Sequence, residues 1–145
     1  MMERIKLGPE EIKFITLFEG LTGSKVKDCL IEENGGITFV VEEKELGRCL
    51  GKEGRNIKRF RSLTGRSVHV VGYSSDLSQF VKNIFSPAEI AKVLLSGDGK
   101  TVTVEVKSGF KGMALGEGKR KLARARKLVG RFFGVRDMVV KTSAS

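Results

Sequence analysis

Two short stretches of this chain bring glycine and cationic side chains together at a spacing suited to holding an anion. The first is Gly51-Lys52-Glu53-Gly54-Arg55, followed at once by a helix-like run that carries Lys58 and Arg59. Glycines three apart in a turn leave the main chain bare, so a ligand backbone can approach to contact. Where such a turn opens a helix, the first amides of that helix have no intrahelical partners, and the positive end of its dipole points the same way. Phosphate is the natural guest of such a place. Lys52 and Arg55 add formal charge to it. The second stretch is Gly116-Glu117-Gly118-Lys119-Arg120, ahead of another basic run that includes Arg124. Its second glycine comes one place early, so Lys119 stands where a glycine is expected. That irregular turn either holds phosphate through Lys119 and Arg120 or has lost close backbone contact.

Other chemistries find no support. A P-loop needs Gly, four residues, then Gly-Lys-Ser/Thr. Gly99-Lys100-Thr101 has Leu94 in the place of the first glycine, and Gly118-Lys119 has Met113 there and no hydroxyl after it. There is one histidine, His69, in a strand-like stretch, and no Ser/His/Asp set around it. Glu42, Glu43 and Glu45 read as a solvated face or as charges at a helix start, not as catalytic carboxylates. Cys29 and Cys49 make no disulfide framework and join no His/Cys cluster; Cys49 reads as packing. No catalytic residue, metal site or cofactor is expected, so the chain is not expected to be an enzyme. No signal peptide or long apolar run is present, which points to a cytoplasmic protein without a membrane span.

Composition agrees with a polyanion partner. The chain of 145 residues carries 27 Lys+Arg against 17 Asp+Glu, a net charge of +10. Between Lys44 and Arg66 there are eight basic residues and two acids, and between Lys107 and Arg131 nine basic residues and one acid. The N-terminal helix and first hairpin are acidic instead. Positive charge is thus gathered around both turns, which solubility alone would not require.

The elements that must position these turns can be read from periodicity and punctuation. Residues 7–23 read as a helix, with Pro9 in its first turn, Gly20 or Gly23 as its stop, and an apolar face of Ile12, Ile15, Leu17 and Phe18. Residues 25–43 read as a hairpin around Asn34-Gly35-Gly36, and residues 43–50 as a short helix running into the first glycine turn. A longer helix follows to Gly65; its Ile57, Phe60 and Leu63 should pack on the sheet while Arg55, Lys58, Arg59 and Ser62 stay wet. Residues 67–73 make a third strand. The order then recurs: a helix over 74–87, a hairpin around Asp98-Gly99, a short helix, the second glycine turn, a long basic helix and a final strand over 136–141. Offsetting the sequence by 65 gives nine identities in twenty positions without a gap, from Gly47 on Gly112 through Gly51 on Gly116 to Gly65 on Gly130 and Arg66 on Arg131. Leu122, Ala125 and Leu128 then match Ile57, Phe60 and Leu63. The fold class is α+β, with two copies of one helix, strand, strand, helix, turn, helix, strand unit. The first domain spans residues 1–73 and the second 74–145.

At Leu50–Gly65 the chain resembles a KH domain, whose Gly-x-x-Gly loop clamps the backbone of about four nucleotides. Two strands before the helix-turn-helix and one after it resemble the type II order, with a three-stranded sheet in each domain. The spacer over residues 73–90 resembles the junction between the tandem KH domains of the NusA family of transcription termination and antitermination factors. The chain looks like the compact archaeal form, with no room for a polymerase-binding N-terminal domain or an S1 barrel. The resemblance implies single-stranded RNA as the partner, with nascent transcript foremost and the transcription machinery as a further partner. It implies Gly51, Lys52, Glu53, Gly54, Arg55, Ile57, Lys58 and Arg59 as RNA-binding in the first copy. In the second it implies Gly116, Glu117, Gly118, Lys119, Arg120 and Arg124. Ile57 is the candidate for an apolar contact to a base. A monomer without a small-molecule substrate is expected. Two alternatives stand beside this: an rRNA-binding or ribosome-assembly KH protein, and a protein-interaction scaffold. Few aromatics are free to stack bases, since there is one Tyr and no Trp. That suits reading by groove and backbone better than an aromatic platform.

Overall fold

The computed structural model describes residues 7–116 and 119–143. The chain divides between Ser74 and Ser75 into two compact units, each built on a three-stranded sheet.

In the first unit, helix α1 spans Pro9–Thr22, with Glu10 and Glu11 in its first turn and Gly23 (φ 72°) closing it. Its buried stripe is Phe14, Phe18 and Thr22, not the face expected from Ile12, because Ile12 is 53% exposed. Phe14 and Phe18 lie four residues apart and so share a face, and two phenyl rings gain more from burial than any aliphatic pair on this helix. Ile15 and Leu17 pack at the edge of that core. Strands β1 (Val26–Ile31) and β2 (Ile37–Glu42) pair antiparallel. Gly35 takes φ 86° in the turn between them, and the Gly36 amide donates to Asn34 Oδ1. Helices α2 (Leu46–Leu50) and α3 (Arg55–Thr64) follow, then β3 (Val68–Tyr73). β3 lies parallel to β2, with Val68 opposite Ile37, so the order is β1-β2-β3. Parallel neighbours cannot be joined by a tight hairpin and need a crossover. Here α2, the glycine turn and α3 are that crossover, which fixes the turn at its midpoint.

Three elements contribute rings to the core of this unit. Phe18 of α1 stacks on Phe39 of β2 at 4.2 Å, and Phe60 of α3 meets both edge-on, at 5.7 and 5.5 Å. Cys29 and Cys49 are buried in the same cluster.

The second unit repeats the plan. Helix α4 spans Leu77–Phe85 and is capped by Asp76, whose carboxylate accepts from the Ser78 amide at 3.1 Å. β4 (Ile90–Leu95) and β5 (Thr101–Val106) pair antiparallel. α5 (Lys111–Leu115) and α6 (Arg120–Phe133) then lead to β6 (Asp137–Thr142), parallel to β5.

The copies part company at the end of the long helix. Gly65 closes α3 in the left-handed region (φ 71°), whereas its sequence match Gly130 lies inside α6. α6 runs 14 residues against 10 for α3 and is closed by Gly134 instead. The added turn brings Phe132 and Phe133 onto Phe80, at 5.5 and 5.7 Å. These half-buried rings add to a core whose fully buried aromatics are Phe80 and Phe85, and in which Ala125 stands where α3 has Phe60. The expected apolar stripe of α3 holds for Phe60, which is fully buried, and half for Ile57. It fails for Leu63, which is 59% exposed. Leu63 sits in the last turn of a helix that stops one residue later, while Leu128 lies inside the longer helix and is buried. Among the described residues, no helix is long and apolar enough to cross a membrane.

Candidate nucleic-acid interface

α2 ends at Leu50, and the chain then turns through Gly51 with φ 73°, ψ 174°. That corner of backbone space is essentially closed to residues with a side chain. A Cβ on Gly51 would also stand 3.0 Å from Asn56 Nδ2. Asn56 is held there by a hydrogen bond: its Nδ2 donates to the Arg48 carbonyl at 3.1 Å. One side chain from the first turn of α3 thereby satisfies a carbonyl left over at the end of α2. The turn is closed by the Gly54 amide, which donates to the Gly51 carbonyl at 3.2 Å. Glu53 (φ 58°) and Gly54 (φ 71°) are both left-handed. Where Gly54 lacks a Cβ, no atom lies within 4 Å, so its bare backbone faces open space.

α3 starts at Arg55 with no side-chain cap, unlike α4 with its Asp76. The Arg55 amide donates to the Lys52 carbonyl, and no side chain caps the amides that follow it. Lys52, Glu53, Arg55 and Lys58 line an open concavity of about 420 Å³ beside the turn. Those four side chains and Arg59 are exposed, and Ile57 is half-buried at the rim of the core. The structure thus brings the first set of expected residues to one place.

At its two described ends, Gly116 and Lys119, the second turn matches the backbone of the first despite its different spelling. Gly116 takes φ 73°, ψ 173°, and the Lys119 amide donates to the Gly116 carbonyl at 3.1 Å. Lys119 itself adopts φ 60°, ψ 25°, the left-handed conformation that Gly54 holds in the first copy. For a residue with a Cβ this costs on the order of 1 kcal/mol. Glu117 and Gly118 lie outside the described residues. α6 starts, like α3, without a side-chain cap among the described residues. Lys119 and Arg120 are exposed. Burial, with Arg124 beside it, draws the Lys121 amine below its ordinary value.

Arg124 does not share the setting of its sequence match. It is 7% exposed, while Arg59 is open to solvent. The next residues on the same helical face behave likewise: Leu128 is buried and Leu63 exposed. From Arg124 to Leu128 this face is covered on α6, while Arg59 and Leu63 are open on α3, so equivalence in sequence does not extend to exposure there. Asn56, which ties the two helices of the first copy together, was not legible as a site residue; an amide side chain directly behind the turn was its only signal.

The remaining reactive groups sit apart from this surface. Burial pushes the Cys49 thiol up, in keeping with a packing role. His69 is exposed on β3. Among the described residues, no three His, Cys, Asp or Glu side chains gather as metal ligands would.

A three-stranded sheet whose central strand reaches its parallel neighbour through helix, glycine turn and helix is the KH architecture. The sequence matches the KH domain family over residues 14–75. A Methanococcus vannielii protein named "Probable transcription termination protein NusA" is 37% identical over 139 residues, covering 94% of this chain and 80% of its own. A protein of the same name from Methanocaldococcus jannaschii is 30% identical over 132 residues, covering 90% and 72%. The crystal structure of APE1850 is similar with a TM-score of 0.78 at 36% identity, over 92% of this chain and 99% of that one. The chain belongs to the archaeal NusA family.

Proposed function

We propose that this chain is a non-catalytic RNA-binding factor of transcription termination or antitermination, and that it grips single-stranded RNA, nascent transcript above all. The observation that carries the proposal is the first glycine turn: bare left-handed backbone, an uncapped helix start and a cationic concavity meet at one point. The names of the archaeal relatives supply the process.

In this account a phosphate sits against the leading amides of α3, between Lys52 and Arg55. Lys58 and Arg59 hold the phosphates that follow, and the exposed edge of Ile57 receives a base. Lys119 and Arg120, behind Gly116, form a second and more purely ionic grip, with Glu117 and Gly118 in its turn. Arg124, 7% exposed, has little surface to add to that grip. No bond of the RNA is made or broken. The protein works as a cytoplasmic monomer, without a small-molecule substrate.

Titration of an unstructured RNA oligonucleotide over a range of salt tests the proposal. Each phosphate held contributes about −0.7 to the slope of log K against log salt on a single strand, so four contacts give roughly −3. Absence of binding at low salt would remove the RNA reading in favour of an interaction scaffold. Recovery of rRNA alone in a cellular pull-down would move the process to the ribosome.

A further inference from the structure

We infer that Glu53 is a built-in electrostatic brake on the first glycine turn, limiting how tightly RNA is held there; the inference rests on that turn being an RNA site. Two features of Glu53 work against tight binding or cost stability, and neither is needed to form the turn. Its backbone is left-handed (φ 58°, ψ 28°), a conformation in which glycine would be unstrained. Its side chain is exposed and lines the same concavity as Lys52, Arg55 and Lys58. A carboxylate offers acceptors only, so it has no donor to give a phosphate oxygen. In that concavity it can only repel one.

The carboxylate also has somewhere favourable to be when RNA is absent. It lies just ahead of α3, where the positive end of the helix dipole and three cationic side chains attract an anion. An arriving phosphate must share this field with the Glu53 carboxylate. The second turn is spelled differently: by sequence Gly118 matches Glu53, Lys119 matches Gly54, and its one acid, Glu117, matches Lys52. The two turns are thus not duplicates. The first carries a restraint that favours release of bound RNA.

The test compares the parent with Glu53→Gln and Glu53→Gly for binding to an unstructured RNA 12-mer, by fluorescence anisotropy and stopped flow. Gln keeps size and backbone and removes only the charge; Gly also relieves the left-handed strain. At about 50 mM salt the Gln variant is expected to bind roughly three- to tenfold tighter, the order set by one like-charge contact near a protein surface. The gain should lie mainly in slower dissociation. It should shrink below about twofold at 0.5 M salt, where screening acts within a few ångströms. The Gly variant should gain at least as much as Gln. A parent that binds RNA, with a Gln variant that binds no better or more weakly, overturns the brake and leaves the RNA site standing. A parent that binds no RNA overturns both.

Discussion

Changing Lys52 and Glu53 together to aspartate is expected to weaken RNA binding by about a hundredfold or more, with the folded state untouched. The double change removes one cation from the concavity and leaves two carboxylates facing the phosphate that should occupy it. The change is two units of charge, both from Lys52 becoming aspartate because position 53 already carries a carboxylate, and two units a few ångströms from a phosphate near a protein surface account for a loss on the order of 10². The fold should not notice. Both side chains are exposed, and neither is in the core cluster. The left-handed conformation of Glu53 suits aspartate better than most residues, because its short polar side chain bonds locally there. Equal thermal unfolding curves for the two proteins, with RNA binding lost, would locate the effect in the turn. Binding within about threefold of the parent would show that RNA is held elsewhere.

The second large effect is on stability. Phe60→Ala should destabilise the first unit by about 3–5 kcal/mol, the usual cost of emptying a fully buried phenyl position. Phe60 carries α3 onto the rings of α1 and β2, edge-on to Phe14, Phe18 and Phe39. It also belongs to the helix whose first turn forms the proposed cradle, so losing it loosens the site along with the core. A urea titration followed by helical circular dichroism should show the midpoint falling sharply. A fall of less than about 1 kcal/mol would mean that the cavity closes freely, against close packing of this aromatic cluster. The second unit holds Ala125 at the matching position, and its ring contacts lie instead between Phe80 and the Phe132 and Phe133 of the extra turn of α6.

Much of the architecture was legible because punctuation residues marked it. Pro9 and Gly23 bound α1, Gly35 turns the first hairpin, and Asp76 caps α4. The first glycine turn was legible because its chemistry is local: two glycines, flanking cations and the start of a helix all lie within five residues. What was not legible depends on distant neighbours. α1 carries apolar residues around most of its circumference, so only the aromatic cluster decides that Phe14 goes inside and Ile12 stays out. The exposure of Leu63 and the burial of Arg124 follow from which helical face is covered, which no periodicity in either helix reveals. Gly130 imitates Gly65 in the repeat and hides the extra turn, since a glycine can close a helix or make room within one. At Gly130 it does the latter, as a Cβ there would press on the Val135 carbonyl at 3.2 Å.

The central claim is that main-chain amides at the start of α3 hold the backbone of RNA. Residue-resolved amide NMR of the whole chain, titrated with an unstructured RNA oligonucleotide, tests it most directly. The account expects the largest shifts at Gly51–Ile57, smaller ones at Lys119 and Arg120, and little change along α1. Saturable RNA binding that leaves the Gly51–Ile57 amides unmoved would contradict it.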